Sequence, residues 1–193
     1  MNAKGNRSGR AYAVTSMTPI VKGREASLLA YLDGLTTSPF TKFDEVHFAR
    51  WVVIDQWKFS WPRAPKRPLQ LKSHYLLFSA AVTAPDDAGA QRLPQTFLRR
   101  IPALVPDVAD AVWGHCVGYP GSGDPGGVAA YLERSLLSTV LFYVGYPDAT
   151  VQDVRRAIAV RDSFVDFART HQGVTNPAQL QQDYIAEAAT WGA

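Results

Sequence analysis

Cysteine is almost missing from this chain. Cys116 is the only one among 193 residues, so no disulfide can close within the chain and no cysteine-based zinc site can assemble in it. Charge is also sparse, at 19% of residues, and the basic excess amounts to a formal +3. That excess is too small to argue by itself for a nucleic-acid partner. No apolar run reaches the roughly 18 residues that a transmembrane helix needs. The opening MNAKGNRSGR has no apolar core of the kind a secretory signal carries. A cytoplasmic location is therefore the default expectation.

The four histidines, His47, His74, His115 and His171, never fall at H-x-H or H-x-x-x-H spacing, so a histidine-rich metal site has little support. No G-x-S-x-G elbow is present, and Cys116 has no evident acid–base partner in sequence. Both absences speak against nucleophilic serine or cysteine catalysis.

Apolar residues make up 47% of the chain, which is globular composition and enough for a sizeable core. Residues 1–9 read as a disordered tail and residues 10–193 as a single α+β domain. Strands are expected at Ala11–Ile20, Val46–Ile54, Tyr75–Val82, Val112–Tyr119 and Thr139–Tyr146, from their β-branched and aromatic content. Helical spacing marks Gly23–Leu35, Asp86–Ile101 with Pro94 as a break, Val128–Leu137 and Val151–Thr170. Pro106–Ala111 reads as a further helical turn. A last helix opens at Asn176-Pro177, with Gln179 placed for a capping box.

The resulting order, β-α-β-β-α-β followed by α-β-α-α, contains the ferredoxin-like unit. In that order, over roughly Arg10 to Tyr146, the chain resembles the dimeric α+β barrel superfamily. The resemblance implies a sheet that packs against a second copy. It also implies chemistry of the kinds found there: cyclisation, cofactor-free oxygenation, or haem-based peroxidase activity. The helices after the fourth strand depart from the minimal unit.

The segment His47-Phe48-Ala49-Arg50-Trp51 carries the sharpest chemical signal. A histidine and an arginine on an apolar strand are costly to bury without partners. His47 is suited to move a proton, and Arg50 to hold a carboxylate or enolate oxygen. The competing reading is structural, with His47 bonded to a backbone carbonyl and Arg50 in an ion pair. A regular strand sends the two to opposite faces, so they can share a pocket only if the strand is bulged there.

Tyr143 is a candidate accessory donor. Trp51, Tyr75, Trp113 and His115 are candidate ligand contacts lining a hydrophobic cleft between sheet and helices; aromatics on strands are also simply core-forming. No cofactor is expected on the leading reading. Haem is the alternative, with His115 or His171 as axial ligand. A non-catalytic binding protein is the third reading, using the cation- and aromatic-rich stretch Trp57–Lys72. The expected partners are a small-molecule substrate and a second copy of the chain. Gly121-x-Gly123-x-x-Gly126 has the dinucleotide-binding spacing, but Pro125 within it and the shortage of parallel strands argue that no dinucleotide binds there.

Overall fold

The computed structural model describes residues 6–57, 69–83 and 93–191. They belong to two compact units, Met1–Asp148 and Ala149–Ala193. The first is an α+β unit built on an antiparallel sheet. Its strands are β1 (Arg7–Ser8), β2 (Ala11–Pro19), β3 (Val46–Trp57) and β4 (Leu69–Thr83), in the order β1-β2-β4-β3. Strands β3 and β4 pair antiparallel, as their adjacency in sequence suggests. The helices are α1 (Glu25–Asp33), α2 (Leu93–Leu104), α3 (Pro106–Trp113) and α4 (Pro125–Arg134), with a 3₁₀ turn at Pro39–Lys42.

The core occupies one face of the sheet. Alternate residues of β2 (Tyr12, Val14) and β4 (Leu76, Phe78, Ala80, Val82) point into it and meet Phe97, Leu98 and Ile101 of α2 and Val112 and Trp113 of α3. Its centre is aromatic: the Phe78 ring stacks on Phe40 at 5.4 Å and meets Trp113 edge-on at 5.5 Å. Pro94 does not break α2. It sits in the first turn, where its missing N–H costs no helical bond.

Three sequence expectations need correction. First, Val112–Tyr119 is not a strand. Val105, Ala109, Val112 and Trp113 recur at helical spacing and are all buried, so α3 runs on through Trp113. Second, Thr139–Tyr146 forms no ladder. Val140 is 96% exposed and Leu141 82%. The segment is tied down instead by Asn6 Oδ1, which accepts from Thr139 N–H, and by Ser8 Oγ, which accepts from Val144 N–H.

The physical reason is that the free edge of β2 is already taken, by three short pieces in place of one long strand. Arg7–Ser8 covers its start. Ser135 and Leu137 bond Met17 and Thr15 at its middle, and His115 and Val117 bond Val21 and Pro19 at its end. This composite edge stands where the ferredoxin-like order calls for its last strand. Residues 7 and 8, read as tail, are thus part of the sheet.

The third correction concerns the barrel. Among the described residues the sheet is open, with β3 as an edge strand, and no closed barrel is formed. Without closure, the resemblance to the dimeric α+β barrels reduces to a partial match in element order.

The second unit holds α5 (Val151–Thr170) and α6 (Pro177–Thr190). Thr150 and Asp153 form a reciprocal capping box at α5. At α6, Asn176 caps the N–H groups of Ala178 and Gln179, but the Gln179 side chain turns to Asp183 rather than back to the cap. Edge-on contacts of Phe167 with Tyr184 (5.8 Å) and of Phe164 with Trp191 (6.0 Å) join the two helices. No described helix is long and apolar enough to cross a membrane.

Candidate functional site

A bulge decides the geometry of the His47–Arg50 segment. Val46 pairs with Val82, and the next pair is Phe48 with Ala81, so His47 is the extra residue. The bulge moves Ala49, Trp51 and Val53 onto the core face and leaves Phe48, Arg50 and Val52 on the opposite face. His47 joins that second face, because its Nε2 lies 2.8 Å from the hydroxyl of Thr83, whose neighbour Val82 points into the core. One extra residue thus brings the histidine and the arginine to the same side of the sheet.

The face away from the core is layered in rows. Cross-strand register puts Phe48, Ala81 and Ala13 in one row and Arg50, Ser79 and Thr15 in the next. Val52, Leu77 and Met17 follow, then Ile54, Tyr75 and Pro19. Only the Arg50 row is polar throughout, and within it Thr15 Oγ1 lies 3.3 Å from Ser79 Oγ. The face is most open over β3, where Phe48 is 50% exposed. Ala11 and Ala13, at the start of β2, are buried.

The Arg50 guanidinium lies 5.7 Å from the centre of the Phe48 ring. Among the described residues no carboxylate pairs with it. The Phe48 ring face, with Ser79 as the cross-strand partner of Arg50, leaves the planar guanidinium fork available to an anion. Partial desolvation lowers the pKa of His47 below the ordinary histidine value, which favours the neutral imidazole. In the tautomer whose Nε2–H donates to Thr83, Nδ1 carries the lone pair of a base.

The other candidates separate by burial. Tyr75 lies on the open face with Arg50, half-buried. Trp51 and Trp113 are core residues, 5.8 Å apart edge-on, and Trp113 is fully buried. The layer between sheet and helices is therefore filled by core side chains where a cleft was expected. Tyr143 stands 81% exposed in the irregular segment after α4, outside the sheet.

His115 ends the turn after α3 with its Nδ1 enclosed. His171 has both ring nitrogens engaged, Nδ1 with the Phe167 carbonyl at 2.9 Å and Nε2 with Asp183 at 3.4 Å. Neither offers an open ligating position at those nitrogens. His74, unassigned by sequence, bonds Glu25 at 2.8 Å. Residues 58–68, the heart of the cation-rich stretch, lie outside the described residues; Leu69–Lys72 extend β4.

At Gly121–Gly126 no strand precedes the glycines. The start of α4 is capped by its own Asp124, which accepts from Gly127 N–H at 2.9 Å. A carboxylate already holds the position at which a dinucleotide would place its pyrophosphate. The adjoining polar cluster is structural: Asp110 accepts from Tyr119 Oη and from Ser122 N–H and Oγ, which lowers its own pKa.

Sequence reasoning missed the Thr83 hydroxyl and the Ser79–Thr15 pair. Their signal was alternation: each is the polar partner of a core-facing neighbour on β2 or β4.

No family model matches this chain, and no curated protein or solved structure matches it.

Proposed function

We propose that the open face of the sheet binds a small organic acid and exchanges a proton with it, as in an isomerase or cyclase that needs no cofactor. The observation that carries this reading is the bulge at His47, which sets a neutral imidazole on the same face as an arginine that no described carboxylate neutralises. Arg50 anchors the ligand's carboxylate. His47 Nδ1 takes a proton from a carbon beside a carbonyl. The C–H electron pair passes into the enolate, and the imidazolium returns the proton to the same or a neighbouring carbon. No oxidant or reductant is consumed.

The test is hydrogen–deuterium exchange at the activated carbon of 3-oxooctanoate in D2O, followed by NMR. The expected result is exchange above the buffer rate with the wild-type protein, loss of that excess in His47→Phe, and retained affinity in the same variant. Binding without exchange in the wild type would identify a binding protein and remove His47 from the chemistry.

A further inference from the structure

We infer that the acid bound on this face carries a medium-length apolar tail that runs from Arg50 toward Ile54 and Tyr75. The inference rests on the proposed anchoring at Arg50 and extends it to the class of substrate.

Beyond the Arg50 row the next two rows change character. Val52, Leu77 and Met17 carry no side-chain hydrogen-bonding group except a thioether sulfur, and in the row after them only the Tyr75 hydroxyl is polar. Val52 is 37% exposed, and Leu77, Met17, Ile54 and Tyr75 are half-buried. None belongs to the packed core on the other face. A polar row at one end and an apolar floor beyond it complement an amphipathic molecule, with its carboxylate on Arg50 and its tail along β3 and β4. The direction is set by the floor: the Arg50 guanidinium lies beside the Phe48 ring, so the carboxylate and the carbon next to it stay on the His47 side while the longer tail crosses the Arg50 row toward Ile54.

Length follows from strand geometry. Four residues separate Arg50 from Ile54, a rise of about 13 Å, which matches an extended alkyl chain of roughly ten carbons. Fully burying a methylene strengthens binding about fourfold; on a surface that covers only one side of the chain, about twofold per carbon is expected.

The experiment measures the affinity of the full chain for butanoate, hexanoate, octanoate, decanoate and dodecanoate, below their micelle concentrations, by isothermal titration. The expected result is about a twofold gain per methylene up to decanoate and none beyond. Val52→Asn, an uncharged polar change at an exposed edge-strand position, should flatten that slope. Arg50→Gln should weaken every member of the series by the same factor, about tenfold. Equal affinities across the series, or an unchanged slope in Val52→Asn, would overturn the tail surface. A slope that persists while Arg50→Gln leaves every affinity unchanged would instead remove the anchoring role of Arg50 and leave the tail surface standing.

Discussion

The Nε2 atom of His47 lies 2.8 Å from the Thr83 hydroxyl, across the β3–β4 ladder. That one hydrogen bond fixes the side on which the bulged residue emerges. It also holds the imidazole in place while partial desolvation disfavours its charged form.

A pH dependence with a definite sign results. The folded-state pKa of His47 is below the ordinary 6.5. Well above pH 6.5 the ring is neutral in both states and contributes nothing to the pH dependence. As pH falls below 6.5, the unfolded chain takes up the proton first, and stability falls with it. Ring titration by NMR should place the His47 midpoint below that of a histidine in the urea-unfolded protein. In His47→Gln the acid-side loss of melting temperature should shrink. A midpoint at or above the unfolded value would contradict the account.

The aromatic core makes its own prediction. Phe78 is fully buried and packs on Phe40, Trp51, Phe97 and Trp113. Phe78→Ala should cost about 3–5 kcal/mol of folding free energy, the range for large aromatic truncations. Val52→Ala, on the open face, should cost well under half of that. Urea denaturation of both variants checks the ordering, and equal costs would mean that the core is not where the sheet places it.

Cys116 should be inert in the folded protein. It is 4% exposed, it accepts a hydrogen bond from the Thr18 hydroxyl at 3.3 Å, and burial pushes its pKa upward. A chromogenic disulfide reagent at pH 8 should react with it only on the timescale of unfolding and at full rate in urea. Immediate labelling of the native chain would contradict its burial.

Legibility of the fold in sequence followed periodicity. Strands β2, β3 and β4 and helices α5 and α6 were readable because their apolar residues alternate or recur along whole elements, and because Thr150 and Asn176 are strong caps. The stretches 112–119 and 139–146 misled because β-branched and aromatic content marks an apolar segment without saying whether a sheet edge is free to receive it. Most of that edge is occupied by two pieces from distant parts of the chain, a tertiary fact that no local pattern carries.

At the site, His47, Arg50 and Tyr75 were visible as polar or amphipathic groups in apolar strands. The sequence left the face of His47 undecided, because one bulge reverses it. Trp51 and Trp113 drew attention by type, yet the same bulge and the extension of α3 send them to the core.

The central claim is that His47 and Arg50 face one bound ligand. It is tested most directly by NMR of the protein labelled with nitrogen-15, following the His47 ring nitrogens and the Arg50 Nε–H as octanoate is added. The account predicts that both signals shift with the same dissociation constant and that in Arg50→Gln the His47 response moves to about tenfold higher octanoate. Movement of one signal without the other, or two different dissociation constants, would show that the bulge places the two residues on one face without joining them in one site.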